Sequence, residues 1–97
     1  MFSIDQLLIH PNDGELEHVP GFATLQKLTA EQTDGAFSIV EHPIEVGVLV
    51  APVHTHSRED EYSYVLQGQV GVMIGGEEAV AGPGTYVCKP RGIPHTF

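Results

Sequence analysis

Glycine and proline punctuate the chain from residue 36 onward so often that no long helix can form there. The breaks fall at Pro43, Gly47, Gly68, Gly75-Gly76, Gly82-Pro83-Gly84 and Pro90-Arg91-Gly92-Ile93-Pro94. Proline removes a backbone donor and fixes φ, while glycine surrenders the restriction that favours regular structure. The pieces left between the breaks are short and rich in strand-forming residues. Residues 36–41, 48–53, 61–67, 70–74, 77–81, 85–88 and 95–97 each read as a strand. Gly75-Gly76 suits a two-residue hairpin loop, because both positions can take positive φ. Short runs with turn signals about every eight to twelve residues predict an all-β sandwich or barrel.

Upstream the pattern is weaker. Residues 1–20 read as an irregular N-terminal arm, with a short helix over 3–9 capped by Ser3 and ended by Pro11-Asn12-Asp13-Gly14. Residues 21–28 read as a strand, and 29–35 as a turn-rich stretch with one helical turn. A length of 97 residues fits a single domain, here 1–97. Such a domain buries only a modest core, so a metal, a partner or a tight barrel would have to reinforce it.

Charge removes whole classes of partner. Thirteen acids against four bases give a formal net charge of −9. Lys27, Arg58, Lys89 and Arg91 form no basic stripe, so neither nucleic acid nor an anionic membrane is an expected partner. No apolar run approaches the roughly 20 residues of a membrane span. The N-terminus lacks a basic secretion signal and the single Cys88 cannot make an internal disulfide, so a cytoplasmic location is expected.

The six histidines are unevenly placed. His10, His18 and His42 lie beside prolines or acids with no partner at ligand spacing, and read as surface groups. His54-Thr55-His56 is different. On a strand, residues two apart share a face, so both imidazoles can converge on one point. Glu59, Asp60 and Glu61 follow, and His95 comes after the last tight turn. Three neutral imidazoles and one carboxylate form a donor set for a divalent transition metal. An HxH pair alone is more often a half-buried polar pair, so the pair by itself decides little.

The full spacing says more. It runs Gly47, six residues, His54-Thr55-His56, four residues, Glu61, six residues, Gly68. Later come Gly84, Pro90-Arg91-Gly92 and His95. This chain resembles the cupin superfamily, whose two motifs these are. Residues 47–68 carry the first motif, with one extra residue after Gly47. Residues 84–97 carry the second, short of its final Asn. The resemblance implies a single cupin (jelly-roll) β-barrel and assigns the ligands to His54, His56, Glu61 and His95. Glu61 is chosen over Glu59 and Asp60 because Gly68 then falls at the motif's distance. Glu59 and Asp60 read instead as a solvated turn, with Arg58 as a partner.

The resemblance also implies one divalent transition metal (Fe, Mn, Ni, Co, Cu or Zn) and a small-molecule substrate or ligand. Among small cupins, quercetinase-like dioxygenases suggest an enolic or flavonol-like substrate, with Glu61 as both ligand and catalytic base. A redox-neutral isomerase or decarboxylase, or a binding and sensing module without turnover, stands as the alternative. If Glu61 points inward, so do Ser63 and Val65, and Phe97 follows His95, making these three the expected pocket wall. Val72, Ile74, Tyr86 and Cys88 are further lining candidates, with Cys88 read as a small buried hydrophobe. The sequence stops two residues after His95, where cupin chains continue. The expectation is therefore a barrel incomplete at the C-terminus, whose open edge favours a homodimer or higher homo-oligomer.

Overall fold

The structure is a computed structural model and describes residues 4–50 and 52–97. The chain divides into two compact units, Met1–Val48 and Leu49–Phe97. No helix among the described residues is long and apolar enough to cross a membrane.

The first unit holds a three-stranded antiparallel sheet in the order β1-β2-β3. Its strands are β1 (Glu15–Val19), β2 (Phe22–Leu28) and β3 (Ile39–Glu41). Short 3₁₀ helices lie at Ile4–Leu7, within the short helix expected over 3–9, and at Glu31–Thr33, within the stretch 29–35 where one helical turn is expected. The cap assigned to Ser3 lies outside the described residues. Residues 15–19 are not irregular, contrary to the sequence reading. Every residue of β1 is exposed, so no alternation marked it. The Pro20-Gly21 corner folds it onto β2, with Gly21 at φ 93° and Val19 opposite Phe22.

β3 starts later than expected, for a local reason. The Phe37 N–H donates to Thr33 Oγ1 at 3.0 Å, and that hydroxyl sits 2.6 Å from the Phe37 carbonyl. Both backbone groups of Phe37 are thus engaged in a turn rather than a ladder. Ala23 and Leu25 of β2 are buried on the sheet's inner face.

The second unit holds β4 (Glu61–Tyr64), β5 (Val70–Ile74), β6 (Glu77–Ala81), β7 (Tyr86–Lys89) and β8 (His95–Thr96). β4 pairs antiparallel with β7, and β6-β5-β8 form a second antiparallel sheet. The β5–β6 hairpin turns at Gly75 and Gly76, whose φ values of 58° and 83° are the pair of positive angles the loop demands. Val65, Ala81 and Val87 form the buried core, with Val70, Val72 and Ile74 packed against it. Among the described residues of the stretch 48–53, which are 48–50, 52 and 53, the expected strand does not form. Pro52 has no N–H to give a ladder, and Val50 donates its N–H to the Phe97 carbonyl at 3.0 Å. The architecture is all-β and antiparallel, consistent with a jelly roll, and among the described residues the ladders of neither unit join into a closed barrel.

Candidate metal centre

His54, His56, Glu61 and His95 come together in the second unit. One donor atom from each lies within 4.8 Å of all the others. Two donors about 2.1 Å from one ion lie at most about 4.2 Å apart, so the group needs only a small contraction to close on a metal.

Backbone pairing builds this convergence. His54 and His95 face each other in an isolated antiparallel bridge, with N–H···O distances of 3.0 and 2.9 Å. Gly92, at φ 78°, donates its N–H to the His56 carbonyl at 2.7 Å. The turn before β8 is thereby tied to the His54–His56 segment. The two histidines share no regular strand, since only His54 is paired; the expected strand is reduced to that bridge. Even so, the three rings cluster, with centroids 5.0 Å apart for His54–His56, 4.4 Å for His54–His95 and 5.4 Å for His56–His95.

Hydrogen bonds set the tautomers. His54 Nδ1 donates to the Pro52 carbonyl at 2.8 Å, and His95 Nδ1 donates to the Ile93 carbonyl at 3.3 Å. A carbonyl can only accept, so in both rings the Nε2 lone pair is left for another partner. Such outer bonds orient imidazoles for metal binding. His56 Nε2 and His95 Nε2 are buried and have no hydrogen-bond partner. They lie 3.6 and 3.5 Å from the Glu61 carboxylate oxygens. Orphaned buried nitrogens around a carboxylate are what a donor set looks like before a cation joins it. The residues present therefore fit a metal ion.

Glu61 opens β4, and burial alternates along the strand. Glu61 and Ser63 are half-buried, Tyr62 and Tyr64 exposed, and Val65 beyond the strand is buried. The Ser63 hydroxyl accepts a 2.5 Å hydrogen bond from Lys89, Val65 belongs to the core cluster, and the Phe97 ring lies 4.4 Å from the Lys89 ammonium. Cys88 and Tyr86 do not line an interior. They are exposed, because their register opposite Tyr62 and Tyr64 puts them on the outer face of the β4–β7 pair.

Lys89 is the residue the sequence reading missed. Its side chain has no exposure, and its Nζ lies 2.9 Å from Glu61 Oε2. Across the ladder it stands directly opposite Glu61. The sequence of β7 shows no apolar–polar alternation to mark it; in the folded strand Val87 and Lys89 share the buried face. Burial pushes the Glu61 carboxyl up. The hydrogen bond and charge of Lys89, helped by His95 and His56, outweigh that and hold it below its ordinary value.

Asp60 is not a loosely solvated acid paired with Arg58. It takes the Arg91 guanidinium at 3.1 Å through each oxygen, and the Arg91 N–H at 2.9 Å. The Arg91 side-chain bonds, then its N–H, hold the Asp60 carboxyl down at about 2. Glu59 stands 4.0 Å from His56 Nδ1. The other histidines lie in the first unit. His10 and His18 are exposed, and His42 is half-buried with Nδ1 donating to the Ala23 carbonyl at 3.1 Å.

Comparison with curated proteins and with solved structures gave no match. Comparison with protein families did: residues 41–97, more than half of the chain and including all four donors, match the cupin domain. With its antiparallel β fold and its clustered His and Glu donors, the chain belongs to the cupin family.

Proposed function

We propose that this cupin holds one divalent transition ion (Fe, Mn, Ni, Co, Cu or Zn) at His54, His56, Glu61 and His95, and acts as a dioxygenase on a small enolic or flavonol-like substrate. The observation that carries the metal reading is the pair of buried Nε2 atoms on His56 and His95, unpartnered and facing the Glu61 carboxylate. A redox-active ion held there supplies Lewis acidity and electron transfer.

The chain's own residues do the rest. The Pro52 and Ile93 carbonyls fix His54 and His95 as Nε2 donors. Lys89 holds the Glu61 carboxyl below its ordinary value, which extends the ionised donor form towards acid pH. In the dioxygenase reading, Glu61 also accepts the substrate's hydroxyl proton. Ser63, Val65 and Phe97 are read as the wall beside it. Residues 1–97 are read as one cupin domain, in the cytoplasm, working as a homodimer or higher oligomer. The exposed Tyr62, Tyr64 and Tyr86 support self-association, with Tyr64 and Tyr86 rings 4.6 Å apart on one face.

One observation favours a second reading, a binding module without turnover. Lys89 is the further buried charged group beside the donors, and it is already engaged by Glu61 and Ser63. Oxygen uptake separates the two readings. A dioxygenase, reconstituted with Fe²⁺, Mn²⁺, Ni²⁺, Co²⁺ or Cu²⁺, consumes O₂ with flavonols or other enols above the metal-free control. Metal uptake with no O₂ consumption on any of them favours the binding module.

A further inference from the structure

The ammonium of Lys89 is enclosed by three acceptors. These are Glu61 Oε2 at 2.9 Å, Ser63 Oγ at 2.5 Å and the face of the Phe97 ring, 4.4 Å to its centroid. An ammonium has three N–H groups and no lone pair, so this environment matches the charged form of the side chain. Its side chain has no exposure, and neither has that of His95. Water therefore screens the charge poorly.

The charge balance has a consequence for what the centre binds. Three neutral imidazoles and Glu61 would leave a divalent ion with one excess positive charge. Lys89 cancels Glu61 and raises the excess to two. Glu61 and His56 are part-exposed, so water screens the centre on that side, while the buried Lys89 charge beside it still favours ligands of opposite charge. We infer that the ligand taken at this centre is a small anion, bearing a carboxylate or enolate oxygen, and that Lys89 is the residue that selects it over a neutral isostere. This rests on the metal-binding reading above.

The test uses the full chain loaded with Co²⁺, with acetate and acetamide as probes of equal shape and different charge. Binding is followed by the visible absorption of Co²⁺. The wild type and Lys89→Arg bind acetate more tightly than acetamide. In Lys89→Met, acetate affinity falls by about tenfold and acetamide affinity is unchanged. Lys89→Gln carries the same comparison should the Met variant not fold. A residue that merely held Glu61 in place would shift both probes together. Acetate binding no tighter than acetamide in the wild type, or an undiminished acetate preference in the neutral variants, overturns the inference alone. Failure of the wild type to take up Co²⁺ overturns the metal reading and the inference with it.

Discussion

His54 and His95 exchange both of their backbone hydrogen bonds, at 3.0 and 2.9 Å, although 40 residues separate them in the chain. That bridge sets two candidate ligands side by side before any metal is present. The two ends of the site nevertheless differ in burial. His95 has no side-chain exposure, whereas His56 is one-third exposed.

This difference separates the site's role from its structural weight. His95→Ala opens a buried cavity and lowers the stability of the metal-free protein by about 2–4 kcal/mol. His56→Ala costs less than about 1 kcal/mol. Both abolish stoichiometric metal binding. Urea unfolding of the metal-free variants, with metal titrations beside it, measures each effect. Equal destabilisation by the two, or retained metal in either, would contradict the account.

Glu61 and Lys89 are coupled, and a double-mutant cycle reads the coupling. Glu61→Gln leaves a wholly buried ammonium without its counter-ion. The expected loss in metal-free protein is about 2–3 kcal/mol, reduced from a fully buried pair because Glu61 is partly exposed. Glu61→Gln/Lys89→Met recovers most of that loss, since no charge is stranded. Simple additivity of the two single variants would show that the pair does not act as a unit.

Asp60 and Arg91 form a pH-dependent tie. The Asp60 carboxyl sits at about 2 in the folded chain against an ordinary 3.8. A depressed carboxylate contributes stability that is fully present above its unfolded value and is lost as pH falls through the folded one. The stability difference between wild type and Asp60→Asn is therefore constant above about pH 5 and shrinks between about pH 4 and 2. Thermal melts across that range check it. A difference that grows on acidification has the wrong sign.

Two glycines with positive φ distinguish conformational strain from collision. At Gly35 (φ 82°) a Cβ meets nothing within 4 Å, so Gly35→Ala pays only the backbone strain, about 1 kcal/mol. At Gly14 (φ 115°) a Cβ would run into the Gln26 carbonyl across the β1–β2 ladder. Gly14→Ala is expected to cost about 2–4 kcal/mol, through strain and backbone displacement together. Chemical denaturation ranks the two, and a reversed order would refute the steric argument.

What the sequence made legible was local. The alternation through Glu61, Ser63 and Val65, the Gly75-Gly76 hairpin and the Pro90–Pro94 turn ahead of His95 are short-range patterns, and the structure carries each. The misses have physical causes. β1 has no buried face to betray it. Residues 48–53 are apolar, yet Pro52 interrupts the donors a ladder needs. Lys89 facing Glu61, and Arg91 clamping Asp60, depend on the β4–β7 register across a long stretch of chain, and no local pattern encodes that register.

The central claim is that His54, His56, Glu61 and His95 hold a metal. Elemental analysis of the purified protein beside the His54→Ala/His56→Ala variant tests it most directly. The account predicts about one equivalent of a divalent transition metal in the parent, as purified or after reconstitution, and none in the variant. Equal metal in both proteins, or none in the parent even after reconstitution, would contradict it.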